Sequence, residues 1–572
     1  MDQVTAPNPA LERARGCITR GDWLGAADAA RSAIADDDSA EAHEVLGLAC
    51  WWLSDIDALF RARERAYQLY VAADERRRAA RVGVWLDWDC RAFRGEPAVA
   101  QGWLRRVRRL LATDTDCAEY GWLLMREADA RMARDAAGAA ESAAEAAALG
   151  RRHGDRDLEH VALSLEGLAR VAAGSVSEGM QQLDEATASI VAGEFVDRSA
   201  AGVTCCHLIM ACDLVRDFDR AGQWCTRVQE YCREWNHPPL FAVCRTQYAG
   251  VLMSSGSWDA AESELLSAIR ELTEMRPGWI SLGTLQLAEL RRRQGRLDEA
   301  ATMYESLAAS PAAWLGLAAI AFERGAPSEA IRHARRFLRQ VPRGNHTSRA
   351  SALELVVLAS SAAASDRHVR DAAEELNELL ALAQRVESIA LRASATLASA
   401  VSLAAHAAIT AATEGFEDAV SQFERAAAPY DTLRARLLLA LHLRDIDATE
   451  SAKAEAWAVA QRARALGAAS LASRAEGLLD ELSVSVSVSA SVPARTTARP
   501  FNANAPAITA REREVLSLLV EGLTNRDIAG RLSLSPHTVH RHVSNLFTKL
   551  GLSSRAAAVA YGIRHGLGGG NQ

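Results

Sequence analysis

GSWDAAESELLSAI (residues 256–269) and GRLDEAATMYESLAA (residues 295–309) decide how most of this chain folds. Each stretch opens on a glycine, which can close the preceding helix in a left-handed turn. Five positions later comes a small residue, Ala261 or Ala300, inside a run with helical patterning. The same pair recurs as Gly21…Ala26, Gly95…Ala100, Arg134…Ala139, Gly174…Gly179, Arg216…Ala221 and Gly325…Ala330. Weaker copies lie at Ser54…Leu59 and near Ala372 and Ala419. Successive anchors are therefore 30 to 42 residues apart. A period of that length without strand patterning means stacked helix pairs. The small residue is needed where the two helices of a pair cross, because a larger one would push them apart.

The anchors resemble tetratricopeptide repeats, with most units longer than the type repeat. The resemblance implies an all-α, tetratricopeptide-like helical-repeat solenoid over residues 10–482. It further implies a concave surface that takes an input signal or a protein or peptide partner.

A second pattern occupies the C-terminal end: TAREREVLSLLVEGLTNRDIAGRLSLSPHTVHRHVSNLFTKLGLSSRAAAVAYGIRHG, from Thr509 to Gly566. Four helices can be marked from their caps. Thr509 with Glu512 forms a capping box for a helix to about Glu521, before Gly522. Thr524 with Asp527 opens a short helix to about Leu532. Ser535 followed by Pro536 starts a third, running to Leu550 before Gly551. Ser553 or Ser554 caps a fourth, ending near His565. Only Ser533, Leu534 and Ser535 separate the second and third helices, which suits a helix-turn-helix. Val539, Val543, Leu546 and Leu550 fall on one stripe of the third helix and should face a small core. The other side carries His537, His540, Arg541, Ser544 and Thr548, of a size to reach base edges.

This region resembles the LuxR-type (GerE-like) four-helix DNA-binding domain. The matching residues are Thr509-x-Arg511-Glu512-x-Glu514-Val515-Leu516, Gly522 to Ala529, Ser535-x-x-Thr538-Val539-x-x-His542-Val543 and Lys549-Leu550-Gly551-Leu552-x-x-Arg555. The resemblance assigns the domain to residues 508–567. It implies base contacts from His540, Arg541 and Ser544, and phosphate contacts from Asn525, Arg526, Ser535, Thr538 and Lys549. The family often has lysine where His540 stands, a departure that leaves base preference open and weakens the charge contact there. The fourth helix usually dimerises such domains, which points to Ala556, Ala557, Ala560 and Ile563. The implied partners are double-stranded DNA and a second copy of the chain on that DNA, with no cofactor.

Charge agrees with this division. The chain of 572 residues carries a net charge of −8. From Thr509 onward there are eight Arg or Lys against four Asp or Glu, so the basic end sits on an acidic body. Between them lies SVSVSVSASVPARTTARPFNANAPA, residues 483–507. Its Val/Ser alternation could make a strand, but with no partner strand in the sequence a flexible linker is expected.

Other chemistry is thin. Neither lysine follows glycine, so no Walker A loop is present and nucleotide hydrolysis of that type is excluded. No βα alternation offers a phospho-receiver domain or an acyl-homoserine lactone pocket. No catalytic constellation stands out, so a non-enzymatic regulator is expected. The alternative is a repeat scaffold whose terminal bundle docks protein rather than DNA. Cys205, Cys206, His207, Cys212, Cys225, Cys232 and Cys244 are read as small core residues, with a thiol sensor or metal site as the competing reading. Trp51, Trp52, Trp85 and Trp88 are read as repeat packing rather than a ligand cage. The arginine runs at 76–78, 105–109 and 291–293 are read as solvated faces. The charge-free stretch Ala393–Thr413 is too weakly apolar for a membrane span. The N-terminus, MDQVTAPNPALERARG, has no apolar core, so a cytoplasmic location is expected.

Overall fold

The computed structural model describes residues 8–235, 238–363, 372–386, 388–489, 508–520, 523, 525–532, 539, 542–543, 546, 549–550, 558–559 and 561–562. Among them the chain is all-α, a tetratricopeptide-like solenoid followed by the C-terminal domain, with 27 α-helices and no strand. It forms two compact units. One comprises residues 1–292 and 296–392; the other, residues 293–295 and 393–572.

In the first unit, helices follow one another in antiparallel pairs, beginning with Pro9–Arg20 and Trp23–Asp36. The pair turns use the residues singled out above. Gly21, Gly95, Gly174, Gly256 and Gly325 all have positive φ, between 63° and 98°, and Ser54 and Arg216 adopt the same left-handed region at 57° and 56°. The anchors fall where helices cross. Ala26, Leu59, Ala100, Ala139, Ala221, Ala261, Ala300 and Ala330 are wholly buried.

One feature of this unit follows from no local pattern. The start of a helix pair docks on the turn of a pair about five positions earlier. Thr347 Oγ1 donates to Val171 O (3.3 Å), 176 residues back, and Ser388 Oγ donates to Val215 O (2.6 Å), 173 residues back. Asn345 reaches further, donating from Nδ2 to Met132 O and Ala133 O and accepting at Oδ1 from Ala136 N, each at 3.0 Å. Gly278 lies on the Arg91 and Ala92 carbonyls with no room for a Cβ. These bonds wind the pairs into a tight superhelix. The inner helices are consequently buried on both sides: most of Arg156–Ala172, His346–Ala362 and Arg198–Val215 is inaccessible.

Several expectations need correction. Arg291 and Arg292 are buried rather than solvated. Arg291 pairs with Glu262 at 2.7 Å, and Arg292 bridges Glu289 and Glu323. The other two runs are accessible, as expected, and three of their seven arginines pair with acids elsewhere in the chain: Arg77–Asp114 (2.6 Å), Arg78–Glu41 (2.7 Å) and Arg108–Glu127. The stretch 393–413 is broken by Ala407, at φ 58°, between Ile389–Ala405 and Ile409–Arg425. Among the described residues one helix, Arg198–Val215, is long and apolar enough to cross a membrane, and 67% of its apolar window is buried inside the protein.

In the second unit the pairs continue through Pro429–Asp445 and Thr449–Leu466. A closing helix, Ala469–Ser489, buries Leu478 and Leu482 against Ala440, Ala452 and Ala456. That helix runs seven residues into the stretch expected to be linker, because Leu482 is still a core position. The rest of the stretch, 490–507, lies outside the described residues.

Candidate nucleic-acid interface

The terminal domain is framed by its first helix, Ala510–Val520. The capping box at its start is reciprocal: Thr509 N donates to Glu512 Oε2 (2.8 Å), and Glu512 N donates to Thr509 Oγ1 (3.2 Å). The short second helix, Asn525–Leu532, ends on Arg511, whose Nη2 donates to Leu532 O at 2.8 Å. A cation at a helix C-terminus satisfies an orphan carbonyl and complements the helix dipole. Val515, Leu518, Leu519, Ile528 and Ala529 form the core between these two helices, and Val539 and Val543 close it. Leu516, Leu546 and Ala558 make a second cluster. The expected inward stripe of the third helix is therefore present at Val539, Val543 and Leu546, with Leu550 packed beside it.

Lys549 locks the far end of this arrangement. Its Nζ donates to Glu512 Oε1 and Oε2 at 2.7 and 2.8 Å. Glu512 is buried, and the Lys549 bond, followed by the Thr509 backbone N–H, holds its carboxyl at about 2, well below the usual range. One carboxylate thus joins the start of the first helix to Lys549, 37 residues further on. Sequence reasoning found the capping box, but not the lysine partner 37 residues away.

Of the residues assigned to DNA, Lys549 is exposed and carries the ion pair just described, while Asn525 and Arg526 open the second helix. Their side chains, and His540, Arg541, Ser544, Ser535 and Thr538, lie outside the described residues. So do the dimerisation candidates Ala556, Ala557, Ala560 and Ile563. Their neighbour Ala558 is buried on Leu516 and Leu546.

Residues 506–561 match the family described as bacterial regulatory proteins, luxR family. The spore germination protein GerE of Bacillus subtilis is 46% identical over 61 residues, which are 11% of this chain and 82% of GerE. The chain belongs to the luxR family of bacterial regulatory proteins. Within this family, "Probable transcriptional regulatory protein SgaR" of Hyphomicrobium methylovorum is 55% identical over 53 residues, covering 9% of this chain and a quarter of SgaR. The likeness to SgaR is thus confined to the terminal domain. Among solved structures, the Cut9–Hcn1 hetero-tetramer of the APC/C aligns over 82% of this chain and 96% of its own, at 12% identity and a TM-score of 0.36.

Among the described residues of the cysteine cluster, Cys206 is half-buried and the others lie inside the fold. Cys205, Cys212 and Cys225 are buried. Burial pushes the Cys225 thiol up to about 12 and Cys212 higher still, which keeps both protonated. His207 is buried beside Ser164 (Nδ1 to Oγ, 2.9 Å), and burial lowers it to about 4, so it is neutral. The Cys232 and Cys244 side chains lie outside the described residues.

The Glu512 bond has a pH signature. A carboxyl depressed in the folded state stabilises above its unfolded value, and that contribution is lost as pH falls through the folded one. Between about pH 4.5 and 2 the terminal domain should lose about 2 kcal/mol, a figure reduced because Lys549 is half-exposed. Denaturant titrations of the native chain and Glu512→Gln across this window check it. The variant should begin less stable and lose less.

Proposed function

We propose that the protein is a cytoplasmic, sequence-specific DNA-binding transcription regulator with the repeats as its sensor or protein-interaction body. The supporting observation is the inward placement of Val539, Val543 and Leu546. Counted round a 3.6-residue helix, that register puts Arg541 and Ser544 on the opposite side, with His540 at its edge. A helix so held presents Arg541 to the major groove, where arginine on guanine is the commonest specific contact. Lys549 spends two of its three donors on Glu512, and the third can meet a phosphate beside Asn525, Arg526, Ser535 and Thr538.

The same counting supports a dimer. Ala558 and Gly562 share a buried side of the fourth helix, so positions 556, 560 and 563 fall opposite, available to a second copy. Position 557 falls on that far side as well, flanking position 560 as position 563 does.

Arg541→Ala should weaken binding to the specific site by about 1–3 kcal/mol and relax preference at one base, while binding to random duplex changes little. Titrations of both duplexes over a range of salt measure it. Unchanged affinity for both would overturn the docking. A flat dependence of log affinity on log salt would favour a bundle that docks protein.

A further inference from the structure

The helices Pro327–Gln340 and Ala373–Arg385 both pack on the inner helix His346–Ala362, and a cleft of about 1020 Å³ opens between them. That is the top of the size range of ligand pockets, with room for a length of chain rather than a single ion. All of its lining belongs to the first unit. Leu338, Val341, Ala381 and Leu382 give it an apolar floor, with Val341 and Leu382 buried. The rim is charged.

Part of that charge is spent inside the fold. Arg349 is buried. It donates to Leu338 O (2.9 Å) and Val341 O (2.6 Å), which closes the end of the first of these helices, and it pairs with Glu378 at 2.5 Å. Arg335 pairs with Glu375 at 2.9 Å. His346 adds no charge. Burial, and then the Arg385 guanidinium, holds it below the usual imidazole range, and the two side chains meet at 3.2 Å.

Three arginines remain. Arg339 and Arg343 are exposed, and neither has an ion-pair or hydrogen-bond partner among the described residues. Arg385 is exposed and meets only His346. The lining acid left to face them is Glu374. Arg339 lies in the last turn of its helix, Arg343 just beyond it, and Arg385 at the end of the facing helix, against the start of the inner one. The three therefore gather at one end of the cleft, while Glu374 lies in the first turn of its helix. Before Thr509 the chain has 57 Arg or Lys against 69 Asp or Glu, so this cationic end runs against the charge of the body around it.

We propose that this cleft takes an extended acidic segment of a partner protein. Its carboxylates sit on Arg339, Arg343 and Arg385. Its backbone crosses the apolar floor past Asn377, whose amide can both donate to and accept from a peptide group. Alternate side chains of an extended chain lie about 6.6 Å apart, close to the rise of about 6 Å from Arg335 to Arg339, so acids at every second position fit. Nucleic acid fits less well, because its backbone is charged at every unit and would run against Glu374 and Glu375. The proposal rests on the reading of the repeats as a protein-interaction body and says where, and with what chemistry, they bind.

The test is fluorescence anisotropy on the full-length protein without DNA. The probe is a labelled peptide of alternating glutamate and alanine with blocked ends. Its glutamine–alanine counterpart is the control, and unlabelled single-stranded oligothymidylate is the competitor. Saturable binding of the glutamate peptide is expected, at least about tenfold tighter than that of the glutamine peptide. Arg339→Glu combined with Arg343→Glu should weaken it at least about tenfold, with native circular dichroism, since both side chains are exposed and unpaired. Glu374→Gln removes the opposing acid and should tighten it about twofold. Equal binding of the two peptides, no binding of the glutamate peptide, or unchanged affinity in the double variant would each overturn the proposal. So would weaker binding in Glu374→Gln, or displacement of the peptide by oligothymidylate at matched charge. If the double variant fails to fold, the direction of the Glu374→Gln effect still decides. Duplex DNA binding by the same proteins separates the two readings, since failure of the peptide with intact duplex binding removes this partner surface and leaves the regulator.

Discussion

Gly179→Val should unfold the middle of the repeat solenoid, with a loss of at least ~3 kcal/mol in a denaturant titration. The reason is contact between backbones. A Cβ at Gly179 would sit 2.5 Å from the carbonyl oxygen of Gly167, and a Cβ at Gly167 would sit 2.6 Å from that of Gly179. Flexible side chains can yield to such an intrusion, whereas two helix backbones yield only by separating. The pair concerned joins Arg156–Ala172, buried nearly all round, to Val176–Val191, so separation opens Leu165, Leu168, Val171 and Leu183 together. Gly179→Ala already places that Cβ and should cost part of the same amount. Ala26→Gly, at the equivalent anchor of the first pair, should cost only about 1 kcal/mol, the helix-propensity difference. If Gly179→Val melts like the native chain, the close crossing is wrong.

The crossings were legible in the sequence because they are local. A turn residue and a small residue five positions on recur within single helix pairs, and both requirements are met inside about ten residues of chain. Gly21, Gly95 and Gly174 are needed for their positive φ, and Ala100, Ala139 and Ala261 for their size. The Thr509–Glu512 box and the Val539, Val543, Leu546 stripe were legible for the same reason. What could not be read depends on pairs far apart in the chain. Lys549 reads as a surface cation until Glu512 is placed beside it. Arg276 looks like any of the chain's arginines until Trp51, 225 residues earlier, is seen to accept from it. Arg291 and Arg292 resemble a solvated run, yet the winding of the helices covers them.

The winding gives the second large effect. Asn345→Leu should destabilise the first unit by about 3–5 kcal/mol, although it changes one polar side chain near the start of a helix. The native amide makes three bonds to one turn: two to the carbonyls of Met132 and Ala133 and one from the N–H of Ala136, each at 3.0 Å. Those groups are the end of Ala118–Arg131 and the start of Ala136–His153, where backbone groups lack helical partners. Asn345 is therefore a cap supplied from 209 to 213 residues away, and it is itself buried. Leucine fills a similar volume but leaves three backbone groups dry and unpaired, each worth about 1–3 kcal/mol. Because Asn345 joins one superhelical winding to the next, the loss should appear as loosening between windings rather than loss of helix. Far-ultraviolet circular dichroism should hardly change, while amide exchange rises at Ala136, Thr347 and the turn around residue 133. Asn345→Asp should cost no less, since it keeps the acceptor for Ala136 but sets a buried carboxylate oxygen against the Met132 and Ala133 carbonyls. Native exchange protection at Ala136 in the leucine variant would mean that the windings are held by Thr347 and Ser388 without this residue.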